Sequence, residues 1–212
     1  MKRITFWFDP VSPYAYLAFE RLPQALEGCS YLVEYRPVLF AGLLRYWGQK
    51  GPAEIEPKRQ WTFRQIAWLA HQYGIPMQMP AVHPFNPLAL LRLALACGPN
   101  RRVVELLMRH AWQGGGADPN DPARLAALTA ALAPARDPES DEVKAELRAH
   151  TDAAIAAQLF GVPSFQFDDG RVFWGLDALP MLAGVLKGDA WFEGPAWDDA
   201  GRQVPGVVRR SA

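Results

Sequence analysis

The chain has 212 residues, half of them hydrophobic, and its 22 basic and 22 acidic residues cancel. This composition can bury a sizeable core and lacks the basic excess of a nucleic-acid-binding protein. No apolar run approaches the ~20 residues of a membrane helix, and the first apolar run is too short for a signal peptide. We therefore expect a cytoplasmic protein that binds neither nucleic acid nor membrane.

The first elements are predicted to be a strand, a helix and a second strand. Residues 4–8 form an apolar run that ends at Asp9-Pro10. Apolar positions at helical spacing then favour a helix over residues 13–27. Alternating side chains favour a second strand over residues 31–36. Two strands joined by one helix are expected to be parallel, with a right-handed crossover.

The middle of the chain, residues 40–160, is predicted to be almost entirely helical. Its segment 76–87 contains four prolines and is not expected to be regular helix. Glycine and proline residues divide the remainder into separate helices. These helices are predicted over residues 58–73, 88–97, 101–112, 122–132 and 141–160.

The C-terminal part returns to strands. Residues 164–167 and 171–174 are predicted to pair as a hairpin, because Asp-Asp-Gly at residues 168–170 is a turn sequence. A helix is predicted over residues 176–186. The remaining segment, 189–212, is rich in proline, glycine and charge, and is predicted to be a surface tail.

The order of these elements predicts an α/β fold, a thioredoxin-like βαβ…ββα sheet domain with a large all-helical insertion. Residues 1–39 and 161–188 would form a discontinuous thioredoxin-like domain. Residues 40–160 would form the helical insertion domain, and residues 189–212 the C-terminal tail. The fold name is inferred from the element order.

Ser12 lies at the N-terminus of the first predicted helix, where free backbone N–H groups and the helix dipole favour an anion such as a thiolate. A thioredoxin-type redox enzyme carries Cys-x-x-Cys at this turn. This chain has Ser12-Pro13-Tyr14-Ala15, which cannot form a disulfide. Ser-Pro is equally an ordinary helix start, since serine is a favoured N-cap and proline a favoured first residue. These residues alone leave both interpretations open.

The two cysteines, Cys29 and Cys97, are far apart in the chain and outside any metal-ligand spacing. A cytosolic protein would keep them reduced. We interpret both as small apolar residues of the packing and predict no metal site.

The dipeptide Val162-Pro163 precedes the third predicted strand. In a thioredoxin-like fold a proline at this point is usually cis, which leaves the backbone of the preceding residue free to pair with an extended peptide. Val162 could then bind the cysteinyl backbone of a thiol tripeptide. The alternative is a plain proline before an edge strand.

Three motifs, taken together, resemble the 2-hydroxychromene-2-carboxylate isomerases, which are related to kappa-class glutathione transferases within the DsbA-like superfamily. The resemblance spans roughly residues 4–187 and implies glutathione as cofactor. The motifs are Ser12-Pro13-Tyr14, Gly161-Val162-Pro163 and Phe173-Trp174-Gly175-Leu176-Asp177.

The resemblance also implies a role for individual residues. Ser12 would face the glutathione sulfur as the catalytic residue, and Asp177 would pair with the ligand ammonium. The structural alternatives are a first-turn acid for Asp177, an exposed lysine for Lys58 and a turn residue for Asn86. His83 is expected to be a loop histidine with no role. The implied glutathione-binding residues are Gln49, Lys58, Val162, Pro163, Leu176 and Asp177, and the implied substrate-pocket residues are Trp61 and Asn86.

Three positions depart from the pattern that the family commonly shows. Gln49 stands where asparagine is frequent, Trp61 where tyrosine is frequent, and Ala178 where arginine often follows the aspartate. These departures concern the identity of the substrate more than the use of glutathione.

The resemblance implies a glutathione-dependent cis–trans isomerase of the 2-hydroxychromene-2-carboxylate type, acting by reversible thiolate addition to a conjugated, aromatic-derived substrate. Ser12 has no His/Asp partner pattern, so a hydrogen-bond donor to the thiolate is its more economical role. Two alternatives stay open, a kappa-like glutathione S-transferase and a non-catalytic thioredoxin-fold binding protein. The resemblance further implies a homodimer and a place in aromatic catabolism.

Overall fold

Four strands form one mixed sheet at the centre of the protein. The computed structural model describes residues 1–202. The strands lie in the order β2-β1-β3-β4, in which β1 is parallel to β2, as predicted, and β3 is antiparallel to both β1 and β4. The strands are β1 (Lys2–Phe8), β2 (Tyr31–Pro37), β3 (Ser164–Phe167) and β4 (Val172–Trp174).

Each predicted helix is present, and three further helices, Phe40–Trp47, Ala190–Glu193 and Pro195–Ala200, had no predicted range. The last helix of the middle segment ends at Ala156, short of residue 160, and the helix predicted from residue 176 begins with a 3-10 turn, Leu176–Ala178. A second 3-10 turn covers Pro52–Glu54. The α-helices are α1 (Pro13–Ala25), α2 (Phe40–Trp47), α3 (Glu56–Tyr73), α4 (Leu88–Cys97), α5 (Arg101–Trp112), α6 (Pro122–Leu132), α7 (Asp141–Ala156), α8 (Leu179–Lys187), α9 (Ala190–Glu193) and α10 (Pro195–Ala200).

Helix α1 carries a proline, Pro23, in its last turns. Proline has no N–H, so the carbonyl four residues earlier loses its helical donor. Here that carbonyl belongs to Phe19, and Arg101 Nη1 on α5 donates to it at 2.9 Å. The same guanidinium lies 3.7 Å from the centroid of the Phe19 ring. Arg101 therefore satisfies the group that the proline leaves unpaired and fixes α5 against α1.

The core is built on the aromatic side chains of β1. Phe6 is fully buried and stacks on Phe165 of β3 with ring centroids 5.0 Å apart, and it also contacts Phe8 and Phe19. Burial of each such ring stabilises the fold by roughly 1.5–3 kcal/mol. The same buried cluster includes Leu107 of α5. This cluster contains residues of both the sheet and the helical segment, so it does not separate the two predicted domains. The boundary between them stays a prediction.

The C-terminal segment differs from the predicted surface tail. Helices α9 and α10 place Phe192 and Trp197 around Phe173 of β4, with ring centroids 5.9 and 5.2 Å from it. Lys2 Nζ, at the start of β1, donates to the Val185 carbonyl at 2.9 Å. Residues 189–202 are therefore packed in part against the sheet domain, and the rest of the predicted tail lies outside the described residues.

No helix among residues 1–202 is both long enough and apolar enough to span a membrane.

Candidate active site

Ser12 and Val162 meet although 150 residues separate them. Ser12 caps α1, and its Oγ accepts a hydrogen bond from Ala15 N at 3.2 Å. The same hydroxyl donates to the Val162 carbonyl at 3.2 Å. The Val162-Pro163 peptide bond is cis, which confirms the prediction for this dipeptide. The structure thus brings together the first two motifs, the helix N-terminus and the loop before β3.

The Ser12 hydroxyl can change partners. Its single proton is donated to a neutral backbone carbonyl, while one of its two lone pairs accepts the capped N–H of Ala15. An ionised acceptor forms a stronger hydrogen bond than a carbonyl does. Ser12 is only 6% exposed, so an anion that reached it would be largely removed from water. This arrangement suits a hydrogen-bond donor to an anion at the N-terminus of α1.

The third motif forms the 3-10 turn after β4. Gly175 has φ +99°, and a Cβ at this position would collide with the Asp177 carboxylate, so glycine is required for this turn. Leu176 is buried at the base of the turn, whereas Asp177 is exposed. The turn contacts α1, and the Asp177 charge reaches Tyr14 on that helix. Asp177 therefore lies near the start of α1.

Tyr14 connects the Ser12 helix to α3. Its hydroxyl donates to Gln65 Oε1 at 2.6 Å. Burial raises the pKa of Tyr14, a hydrogen bond to Thr62 opposes that change, and the charge of Asp177 adds to it. Lys58, Thr62 and Gln65 are spaced i, i+4 and i+7, so they share one face of α3. Lys58 is exposed, and the spacing places it on the same face of α3 as Gln65, the residue that Tyr14 contacts.

The remaining predicted site residues lie on the surface of the helical segment. Gln49 follows α2 and is exposed, with its backbone N–H bonded to Leu44 O. Trp61 on α3 is 62% exposed. Asn86 Oδ1 accepts a hydrogen bond from Leu88 N at 3.1 Å, the contact expected of a turn residue. No side-chain hydrogen bond within residues 1–202 joins these three to Ser12, and their roles in binding stay predictions.

One acidic residue beside Ser12 was missed by the sequence analysis. Asp9 has no exposed surface, and its Oδ1 and Oδ2 each accept a backbone hydrogen bond at 2.9 Å, from Val11 N and Phe40 N. Burial raises the pKa of Asp9 from 3.8 to about 7, although both hydrogen bonds lower it. In the sequence, Asp9-Pro10 indicates only the end of a strand, because the partner N–H of Phe40 is 31 residues away.

His83 also supports the turn before Ser12, against the expectation that it has no role. Its Nε2 donates to the Val11 carbonyl at 2.8 Å, and Trp112 Nε1 donates to the neighbouring Pro10 carbonyl at 2.9 Å. Burial lowers the pKa of His83, so the ring is neutral at pH 7. Because a carbonyl only accepts, the proton of the neutral ring is on Nε2.

The cysteines take no part in this site. Cys29 and Cys97 are free thiols, half-buried, and packed against the main core cluster, as the sequence predicted. Two surface cavities also lie elsewhere, one beside Tyr73 and Arg109 and one beside Trp47. Neither cavity is lined by Ser12, whose hydroxyl is instead hydrogen-bonded to the Val162 carbonyl.

Comparison with known proteins agrees with this fold. Residues 3–187 match the family model described as a DSBA-like thioredoxin domain, and the chain belongs to that family. It is 27% identical over 192 residues to a 2-hydroxychromene-2-carboxylate isomerase of Sphingobium xenophagum, covering 87% of this chain and 98% of that protein. It is 26% identical over 216 residues to a kappa 2 glutathione S-transferase of Caenorhabditis elegans, covering 92% and 95%.

A solved structure gives the same fold. The structure of a selenomethionine 2-hydroxychromene-2-carboxylate isomerase superposes with a TM-score of 0.77 at 23% identity, covering 94% of this chain and 100% of that one. Together, these relatives indicate an enzyme of a glutathione-related branch of the family.

Proposed function

We propose that the protein is a glutathione-dependent cis–trans isomerase of the 2-hydroxychromene-2-carboxylate type. The observation that supports the proposal most strongly is the Ser12 hydroxyl, placed at the N-terminus of α1 and 3.2 Å from the Val162 carbonyl. A helix N-terminus and a hydroxyl proton both stabilise a thiolate. This chain has no cysteine at that turn, so the sulfur would come from a ligand. The names of the two relatives point to the same pair of features, isomerisation and glutathione.

The residues around Ser12 would have the following roles toward a γ-glutamyl tripeptide. The Val162 backbone, held by the cis Pro163, would pair with the cysteinyl unit. Ser12 would turn its hydroxyl proton from the Val162 carbonyl to the sulfur, which frees that carbonyl for the cysteinyl N–H. Asp177 would bind the γ-glutamyl ammonium, and the backbone of the turn at Leu176 its carboxylate. Lys58 and Gln49 would bind from the helical segment.

When bound, glutathione would supply a thiolate that adds to a conjugated carbonyl substrate, permits rotation about the former double bond, and is then expelled unchanged. Ser12 stabilises the sulfur anion before addition and after expulsion. We assign it no nucleophilic role, because its proton is donated to the Val162 carbonyl and His83 donates to Val11 rather than contacting the Ser12 hydroxyl. Trp61 and Asn86 would line the site of the conjugated substrate.

The resemblance also supports three wider proposals, a homodimer, a cytoplasmic location and a place in aromatic catabolism.

Isomerase assays with and without glutathione test the proposal. We expect cis–trans conversion of a hydroxychromene carboxylate only with glutathione present, with no net loss of thiol. Conversion at the same rate after glutathione is removed would contradict it.

A second candidate is a kappa-like glutathione S-transferase, favoured by the relative of that name. The same assay with an electrophilic aromatic substrate separates the two, because a transferase consumes one glutathione for each product. A non-catalytic binding protein would show neither reaction, and Ser12→Ala would then have no effect on any activity.

A further inference from the structure

Asp9 connects two parts of the candidate site. Its Oδ1 accepts from Val11 N, inside the turn that leads to Ser12, and its Oδ2 accepts from Phe40 N, the first residue of α2. The Asp9 backbone carbonyl accepts in addition from Ser12 N at 3.0 Å. One residue thus fixes both the Ser12 turn and the helix that leads to Gln49.

We propose that Asp9 is a positioning residue for Ser12, and that the charge of its carboxyl group opposes the formation of a thiolate at the Ser12 hydroxyl. This inference rests on the proposed function, since it assumes that a thiol binds at Ser12. It adds that the thiol pKa at Ser12 would depend on whether Asp9 is protonated, although Asp9 would not contact the ligand.

The other side chains that anchor the turn keep the same charge near neutral pH. The Asp9 carboxyl is the anchoring group whose charge changes there. His83 and Trp112 bind the carbonyls of Val11 and Pro10. These two side chains carry no charge, since burial keeps His83 neutral. Loss of a proton from Asp9 would therefore change the local electrostatic field without releasing the other anchors of the turn.

The charged groups around the turn include Arg59 on α3, which donates to the His83 carbonyl at 3.2 Å, and none of those described is paired with the Asp9 carboxyl. On α1, Tyr14 is neutral because burial raises its pKa. On α7, His150 contacts the Pro37 carbonyl and is neutral because burial lowers its pKa. Arg36 on β2 is paired with Glu34. The shift of Asp9 arises from burial and its two backbone hydrogen bonds, with no cation among its causes.

The pKa of about 7 means that both forms of Asp9 are populated near neutral pH. A buried negative charge raises the pKa of a nearby thiol, because like charges disfavour each other's ionised forms. The effect is reciprocal, so a bound thiolate must raise the pKa of Asp9 by the same amount. The two groups therefore titrate as a coupled pair.

The direct test is the thiol pKa of bound glutathione, measured by ultraviolet absorbance of the thiolate. In Asp9→Asn we expect that pKa to fall by about one unit, which is the scale of a neighbouring buried charge. The matched control is Asp169→Asn, at the β3–β4 turn and near the opposite end of β1, which should leave the thiol pKa unchanged. An unchanged thiol pKa in a folded Asp9→Asn protein would overturn the inference.

A measurement on the wild-type protein covers the case in which Asp9→Asn does not fold. The Asp9 carboxyl is titrated by carbon NMR with saturating glutathione and, separately, with saturating S-methylglutathione, which cannot ionise at sulfur. We expect a higher Asp9 pKa with glutathione than with the thioether, and equal values would refute the coupling. If glutathione does not bind, or binds with an ordinary thiol pKa, the proposed function fails instead.

Discussion

The two halves of the candidate site are built differently. On the sheet side, Ser12 and Val162 are each 6% exposed and hydrogen-bonded to each other. On the helical side, Lys58 and Trp61 project from α3 into solvent. The sheet side is therefore already organised by the core, whereas the helical side would acquire its partners only on binding.

This difference suggests a division of labour. Groups that must stabilise charge are effective when their orientation is fixed before the ligand arrives. Groups that recognise a variable substrate can be exposed, and their substitution costs little stability. Two of the three departures from the family pattern, Gln49 and Trp61, fall on the exposed half, whereas Ala178 is buried in the turn after β4. The predictions below test the contrast, beginning with the largest effect.

The largest expected effect is on the pH dependence of the free energy of unfolding. The pKa of Asp9 is about 7 in the folded protein and is taken as 3.8 in the unfolded chain. Folding therefore takes up a proton when the pH lies between these two pKa values. The contribution of Asp9 to the free energy of unfolding is thus highest below pH 4, and falls by about 4 kcal/mol as pH rises to 7. Urea unfolding gives the free energy of unfolding of the wild type and of Asp9→Asn at each pH in this range. The contribution of Asp9 is the pH-dependent difference between the two proteins. Parallel curves would show that Asp9 titrates normally.

Ser12→Ala should remove most of the activity. Loss of one preorganised donor typically costs about 100-fold in kcat, and loss of the N-cap costs about 1 kcal/mol of stability. Ser140→Ala is the matched control, because Ser140 caps α7 by the same type of hydrogen bond. We expect similar destabilisation from both variants and a rate loss only from Ser12→Ala. Equal activities would remove Ser12 from the mechanism.

Asp177→Asn should weaken glutathione binding roughly tenfold, the usual value of one charge-assisted hydrogen bond. Calorimetry measures the effect, and Asp152→Asn, an exposed site on α7, serves as the control. Glutathione lacking its amino group should bind both Asp177 forms equally. A tenfold difference that persists with this analogue would mean that Asp177 acts elsewhere.

Lys58→Ala should have the smallest effect, a loss of about threefold in glutathione affinity that disappears at high salt, because exposed ion pairs contribute little. Arg64→Ala removes a positive charge from another exposed face of α3 and should leave affinity unchanged. Equal losses in the two variants would indicate a general effect of charge, and a large loss in Lys58→Ala alone would show that the helical side is organised before binding.

Much of the fold could be predicted because the signals are local. Alternating and apolar runs gave β1 to β4, and Gly or Pro marked the ends of α4, α5 and α6. The order of elements was then enough for the thioredoxin-like sheet, and the cis Val162-Pro163 bond followed from it. Composition failed for residues 189–202, since a segment rich in polar residues still places Phe192 and Trp197 on the core.

The buried support of the site could not be predicted in the same way. Asp9 is an acid after a strand, and nothing near it in the sequence indicates that Phe40 N–H will face it. His83 lies in a proline-rich loop without periodicity, so its contact with Val11 depends on the tertiary fold. Such residues act through distant backbone groups, and a local pattern does not record them.

The position of Lys2 has a practical consequence. Its side chain contacts Val185 and Glu193 at the end of β1 that lies about 20 Å along the strand from the Ser12 turn. A linker attached ahead of Lys2 would therefore leave from the opposite end of β1 to the Ser12 turn. The protein can be immobilised through that end on a sensor surface, and small ligands would still reach Ser12 from the opposite side.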